Sequence, residues 1–191
     1  MKVNEIFFSL QGEGFYTGTA AVFIRLSGCN LRCPFCDTDH TSGIEMTEDE
    51  IAAAAQQYPA QHVVITGGEP SLFLTETLVD KLHQAGKYVA VETNGTHRLP
   101  QNVDWVTLSP KDAFVEGASP AIRSCSELKV VFDGKPLPDY SYITTEHRFL
   151  QPCDTGDAEM NEAIVKELVK YIQCHPQWRL SLQTHKIINI Q

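Results

Sequence analysis

The hydrophobic residues of this 191-residue chain fall into short runs divided by polar, glycine-rich or proline-rich stretches, and the runs follow two different periods. Ala21 to Leu26 is rich in β-branched and aromatic residues and stops just before Gly28, which predicts a strand. His62 to Thr66 and Lys87 to Glu92 have the same character, and shorter strands are predicted at Trp105 to Leu108, Leu128 to Phe132 and Arg148 to Gln151. Helical spacing occupies the gaps. One helix begins at Thr47, with Glu50 completing a capping box, and continues through Gln57 until Pro59 stops it. A second runs from Leu74 to Ala85 and is closed by Gly86, and a third runs from about Glu159 to Cys174, ahead of Pro176. Leu180 to Gln183 alternates like a last strand with Leu180 and Leu182 on one face.

Strands alternating with helices predict a parallel sheet with crossover connections. Between Thr93 and Glu146 the prolines at 100, 110, 120, 136 and 138 predict crossovers made of loop instead of helix. A complete eight-unit barrel takes ~250 residues, roughly 31 per unit, so this chain holds material for about six. The fold class predicted is α/β, a partial, open (β/α)6-like TIM barrel with reduced helix content, as one domain over residues 1–191.

The formal charge of −9, from 24 acidic and 15 basic residues, opposes a broad phosphate-binding face, so small molecules are expected as partners and nucleic acid is not. The N-terminal residues lack a basic segment followed by an apolar one, and no run has the length of a membrane span, so a cytoplasmic location is expected.

Six cysteines are present, and three of them, Cys29, Cys33 and Cys36, lie within eight residues directly after the first predicted strand. So tight a cluster reads as metal-binding, while the scattered Cys125, Cys153 and Cys174 read as buried small hydrophobes. A four-iron cluster takes four outside ligands, so three cysteines leave one iron open to another ligand. Zinc is the alternative, with His40 completing a Cys3His set, although structural zinc ligands usually come from two separated pairs. An assay of iron and sulfide against zinc separates the two.

Other chemistry-bearing residues follow the ends of the predicted strands, the end at which barrel active sites are assembled. Gly67-Gly68-Glu69-Pro70 follows the second, Glu92-Thr93-Asn94 ends the third, and Ser109-Pro110-Lys111 ends the fourth. The glycine turn alone is an ordinary tight turn; beside a metal cluster, its bare backbone and the Glu69 charge suit an ammonium group. Arg25 shares a strand face with Phe23, opposite Val22, Ile24 and Leu26. In a helix-covered parallel barrel that face is the lumen, where a guanidinium holds a carboxylate by two parallel hydrogen bonds.

The Cys-x3-Cys-x2-Cys run together with the glycine turn resembles the radical S-adenosylmethionine superfamily, over Ala21 to about Lys111. Leu10-Gln11-Gly12-Glu13-Gly14, Cys36-Asp37-Thr38, Ser109-Pro110-Lys111 and Gln183-Thr184-His185-Lys186 together look like the 7-carboxy-7-deazaguanine synthase family, and these motifs span nearly the whole chain. The resemblance implies a [4Fe-4S] cluster on Cys29, Cys33 and Cys36, and S-adenosylmethionine in contact with Phe35, Asp37, Gly68, Glu69, Glu92, Asn94, Ser109, Pro110, Lys111 and Gln151. It implies Mg2+ at Thr38, although by itself that hydroxyl would be read as capping a turn. It implies substrate contacts from Leu10, Gln11, Gly12, Glu13, Arg25, Thr66, His185 and Gln191; apart from the resemblance His185 reads as a satisfied structural histidine.

The activity implied is a radical ring contraction of 6-carboxy-5,6,7,8-tetrahydropterin to 7-carboxy-7-deazaguanine with loss of ammonia, a carbon–nitrogen lyase step toward queuosine and other 7-deazapurines. A homodimer and an electron donor such as a flavodoxin are implied with it. Two alternatives stand beside this reading. A small radical activase that installs a glycyl radical on a partner would share the cysteine and glycine motifs without a pterin pocket. A zinc-binding interaction module would use the cysteines without catalysis.

Overall fold

Strand β2 (Ala20–Leu26) carries both faces of the architecture in its sequence alternation. Val22, Ile24 and Leu26 are fully buried on the face covered by helices, while Phe23 and Arg25 turn to the concave side. In the computed structural model, which describes all 191 residues, this strand belongs to a nine-stranded sheet.

The other elements follow in chain order. β1 (Lys2–Leu10) precedes β2 as its antiparallel partner, and the two-residue β3 (Ile44–Glu45) pairs with β1 at the sheet edge. Then come α1 (Glu48–Gln56), β4 (His62–Gly67), α2 (Glu76–Gln84), β5 (Tyr88–Thr93), β6 (Trp105–Leu108), β7 (Glu127–Phe132) and β8 (His147–Pro152). α3 (Ala158–Cys174), the short β9 (Arg179–Leu180) and the one-turn α4 (Thr184–Ile187) complete the chain. The sheet order is β3-β1-β2-β4-β5-β6-β7-β8-β9, and every pair from β2 onward is parallel. The predicted partial barrel is therefore present, with β2, β4, β5, β6, β7 and β8 as its six full parallel strands and the sheet left open.

Two apolar cores lie on the outer face. One packs Val22, Ile24, Val63, Ile65, Val89 and Val91 of the strands on Ile51, Leu78, Val79 and Leu82 of α1 and α2. The other packs Leu108, Leu128, Val130 and Leu150 on Ile164 and Leu168 of α3. Each fully buried aliphatic side chain contributes roughly 1.5–3 kcal/mol, so these two cores carry most of the drive to fold. α1 starts as its sequence predicts: the Thr47 hydroxyl accepts from the Glu50 amide and the Glu50 carboxylate accepts from the Thr47 amide. No helix joins β5 to β6, β6 to β7 or β7 to β8, in keeping with the prolines there.

Three readings of the sequence need correction. The final strand is only Arg179–Leu180; Leu180 is exposed, and the chain then turns into α4 because Ser181 and Thr184 are engaged by polar partners. The sheet is mixed instead of wholly parallel, because β1 and β3 run antiparallel on one edge. Cys174 is exposed at the end of α3, and Cys125 is only half-buried, so of the scattered cysteines Cys153 alone is buried.

Under the barrel, the loop from Gln11 to Thr19 folds back below the N-terminal ends of the strands. Phe15 and Tyr16 seal the bottom of the lumen: Phe15 stacks near His147 at 4.3 Å and Trp105 at 5.0 Å between ring centroids, and Tyr16 lies 4.4 Å from His62. A barrel closed below and open above leaves one mouth.

Candidate active site

The C-terminal ends of the parallel strands surround a cavity of about 780 Å³. All of the site residues expected from the sequence line it except Pro110, which is buried behind Ser109 and Lys111 in the same loop. Parallel strands deliver their following loops to one rim, so residues far apart in sequence meet there.

The cysteine loop leaves β2 and passes over this rim. Cys29, Cys33 and Cys36 are free thiols opening on the one cavity, although they are not drawn to a common point, and neither is any other group of three His, Cys, Asp or Glu side chains. Burial raises the thiols of Cys29 and Cys33 above their ordinary range, and the Lys111 charge pulls Cys33 partly back. Lys111 is half-buried, with its ammonium lowered to about 8 chiefly by desolvation, and its Nζ donates to the Ser109 carbonyl and hydroxyl, each at 2.6 Å.

The glycine turn after β4 has a stricter role than freedom of approach to a ligand. A Cβ on Gly68 would lie 1.9 Å from the Gly28 carbonyl oxygen, so the turn fits only because it packs backbone against backbone on the start of the cysteine loop. The Glu69 amide donates to that same Gly28 carbonyl at 2.8 Å. Glu69 is 1% exposed, and its carboxylate accepts from the Thr93 hydroxyl at 2.6 Å, the Asn94 amide at 2.7 Å and the Ser71 amide at 2.9 Å. Much of its capacity is thus spent on tying the ends of β4 and β5 together. Asn94 in turn donates to Asn30 in the cysteine loop at 3.1 Å.

Arg25 faces the cavity with its orientation fixed. Its Nε donates to Glu5 Oε1 at 2.8 Å, its Nη1 reaches Thr38 Oγ1 at 3.5 Å, and its guanidinium lies 5.7 Å from the centroid of Phe7, which stacks on Phe23. The rest of the fork is left to face the cavity.

The same cavity holds a lysine the sequence reading missed. Lys129, on β7, donates to Glu13 Oε2 at 2.6 Å and to Glu92 Oε2 at 2.8 Å. The other oxygen of each carboxylate is also held, Glu13 Oε1 by the Gln183 amide at 3.0 Å and Glu92 Oε1 by the Gln11 amide at 3.3 Å. Burial alone would raise the Glu13 carboxyl, but the Lys129 charge and hydrogen bond outweigh it and bring it to about 2. Two residues further back on β7's neighbourhood of the lumen, Glu127 accepts from the Phe15 amide at 3.0 Å and is raised to about 7, mainly by burial. A signal for this group was present: Glu127 and Lys129 interrupt the apolar run of a strand buried on both faces.

The C-terminal segment closes one side. Thr184 donates to the Gly12 carbonyl from its amide at 3.0 Å and its hydroxyl at 2.8 Å, and Lys186 bridges Asp37 at 3.0 Å and Asp154 at 2.9 Å. Gln191 reaches Glu5 with its side chain at 2.6 Å, and Ser9 donates to its backbone oxygen.

Comparison with known proteins decides the family. Residues 23–117 match the model of the radical SAM superfamily. The chain is 53% identical to the 7-carboxy-7-deazaguanine synthase of Bacteroides thetaiotaomicron, over 100% of this chain and 98% of that protein. The synthases of Nitratidesulfovibrio vulgaris and Bordetella pertussis are each 43% identical, over 99% of this chain and 98% of theirs. This chain belongs to the 7-carboxy-7-deazaguanine synthase family. The crystal structure of QueE from Escherichia coli superposes with a TM-score of 0.68 at 29% identity, covering 95% of this chain and 92% of that one.

The residues fit the cofactors of a radical SAM synthase. Three unpaired thiols lining the cavity are the donor type that an iron–sulfur cluster takes. Beside them the loop after β5 and the Ser109–Lys111 loop offer polar groups to a molecule bridging cysteine loop and strands. The chain is thus a radical SAM lyase of a family that uses a [4Fe-4S] cluster and S-adenosylmethionine.

Proposed function

We infer that this chain carries out the radical ring contraction of 6-carboxy-5,6,7,8-tetrahydropterin to 7-carboxy-7-deazaguanine with loss of ammonia. The observation that carries the inference is 53% identity to a named synthase over the entire chain, in a structure with a cavity at the strand ends lined by residues of the synthase motifs. Cys29, Cys33 and Cys36 hold the cluster, and Phe35, Asp37, Gly68, Glu69, Glu92, Asn94, Ser109, Lys111 and Gln151 surround S-adenosylmethionine. When bound, cluster and cofactor supply the electron and the hydrogen-abstracting power that start the reaction.

The chain's own work is to bind, orient and shield. The free part of the Arg25 fork takes the substrate carboxylate, and Thr38, in reach of Arg25, supplies an oxygen ligand for Mg2+ at the same place. Gln11, Gly12, Glu13 and Thr66 meet the ring, with His185 and Gln191 closing over it from the C-terminal segment. The Phe15 and Tyr16 plug keeps water from entering below.

A homodimer is supported by the exposed Ile187, Ile188 and Ile190 near the C-terminus, which present apolar surface for a second copy. A reduced flavodoxin is the proposed electron donor, and the cytoplasm the proposed location. No helix is long and apolar enough to cross a membrane.

The test is anaerobic turnover of the reconstituted enzyme with the tetrahydropterin, with and without Mg2+, and identification of the product. Formation of 7-carboxy-7-deazaguanine is expected. Unchanged pterin in the presence of reduced cluster and S-adenosylmethionine would refute the reading.

A further inference from the structure

The lysine between Glu13 and Glu92 is placed unlike an ordinary buried ion pair. Its side chain is 6% exposed, whereas those of Glu13 and Glu92 are 18% and 20% exposed and open on the cavity. Lys129 lines the same cavity but is the most deeply buried of the three, so the two carboxylates form more of the surface a ligand meets. Each carboxylate oxygen already accepts one hydrogen bond from Lys129, Gln183 or Gln11, and each has a second lone pair left. Two negative charges against one positive leave this wall anionic and rich in acceptors, while the part of the Arg25 fork not taken by Glu5 offers N–H donors elsewhere in the same cavity. A ligand with a carboxylate at one end and an N–H donor edge at the other matches both. A pterin bearing a 6-carboxylate has that pattern, its donor edge being the amino group and ring N–H of its guanidine-like portion.

We propose that Lys129 is a positioning residue for the pterin ring, holding Glu13 and Glu92 as a paired acceptor for the ring's donor edge; this deepens the synthase reading and rests on it. Without the ammonium, two carboxylates would share a dry wall, and one would take up a proton. A protonated carboxyl presents a donor where the ring needs an acceptor. The surrounding charges do not substitute for Lys129. Glu127 lies behind it on β7 and adds negative charge, His185 approaches Glu13 from α4, and Lys111 beyond β6 is committed to Ser109.

The experiment uses the reconstituted holoenzyme with S-adenosylmethionine and reads the fluorescence of bound 6-carboxypterin, the oxidised form of the ring, from pH 6 to 9. The wild type sets the reference pH profile, which carries the ionisation of Glu127, raised to about 7, and of Lys111, lowered to about 8. Lys129→Met weakens binding roughly ten-fold or more at neutral pH and recovers part of it as pH rises, because the shared proton is then lost. Lys129→Arg keeps the charge and the wild-type profile, and iron content stays at the wild-type level in both variants; S-adenosylmethionine, which Glu92 also borders, loses less affinity than the pterin does. A Lys129→Met enzyme with wild-type affinity and the wild-type profile overturns the proposal, as does equal loss of pterin, cofactor and iron, which marks a purely structural lysine. If Lys129→Met does not fold, Lys129→Gln carries the test: a neutral donor replaces the ammonium, so the pterin weakens at neutral pH and regains affinity as pH rises, and wild-type affinity with the wild-type profile overturns the proposal. A wild-type enzyme that neither binds the pterin nor forms the deazaguanine refutes the synthase reading instead, whatever Lys129 does.

Discussion

Arg25 is one of the few residues whose role could be argued from alternation alone, since a charge opposite Val22, Ile24 and Leu26 has to face the lumen of a helix-covered sheet. The structure adds what alternation could not, namely that Glu5 fixes the Nε side of the fork and Phe7 lies beneath it. Arg25→Ala removes the charge that meets the substrate carboxylate. The expected result is a rise of about ten- to a hundred-fold in the KM for the pterin, with iron content unchanged, measured by steady-state turnover beside iron analysis. An unchanged KM would take Arg25 out of the site. Cys33→Ala removes one of three thiolate ligands and should abolish both iron incorporation and product formation. Lys129 and Glu127 went unread because a lysine and a glutamate in a strand look like surface residues until the sheet is known to be covered on both sides. Their burial is a property of the neighbours, not of the residues.

Elements were most legible where one period ran uninterrupted. The capping box at Thr47 placed the start of α1, and the β-branched runs placed β2, β4 and β7 to within about a residue, because local chemistry there agrees with tertiary demand. β1 was not read because its mixed apolar and polar residues pair in a strand with one partly exposed face. β9 was over-read, since the polar contacts of Ser181 and Thr184 with Gln151 and Gly12 end it early. The glycine turn shows how one motif can answer a second demand. Its glycines suggest room for a ligand, and Gly68 is also required by the Gly28 carbonyl that its Cβ would strike at 1.9 Å. Because both atoms belong to backbone, no side-chain rotation relieves the clash. Gly68→Ala should therefore destabilise the protein by about 1–3 kcal/mol and also lower iron incorporation, since the cysteine loop must move. Thermal unfolding together with iron analysis checks this; a stable, iron-replete variant would show that the loops yield.

At the scale of the molecule, the buried charges beneath the cavity make stability depend on pH in two opposed ways. Glu13 is lowered from 4.5 to about 2, so its contribution is present above the ordinary carboxyl range and is lost as pH falls toward 2. Glu127 is raised from 4.5 to about 7, so folding prefers its protonated form, and that contribution is complete below about 4.5 and lost as pH rises through 7. Between those limits neither penalty is fully developed, which places the stability maximum near mildly acidic pH. The Glu127 effect amounts to about 3 kcal/mol at full development, since each pKa unit is worth ~1.36 kcal/mol. Phe15 links this charge to the barrel floor, because the Glu127 carboxylate accepts the Phe15 amide, and a Cβ on Gly14 would fall 2.0 Å from its other oxygen. Ionising Glu127 in that enclosure therefore works against the plug formed by Phe15 and Tyr16. Glu127→Gln keeps the acceptor for the Phe15 amide and cannot ionise. The melting temperature of the wild type should fall as pH rises from about 5 to 7.5, while that of Glu127→Gln stays level over the same span, so the gap between the two curves widens with pH. Parallel curves would mean that Glu127 is ionised throughout and that Lys129 neutralises three carboxylates instead of two.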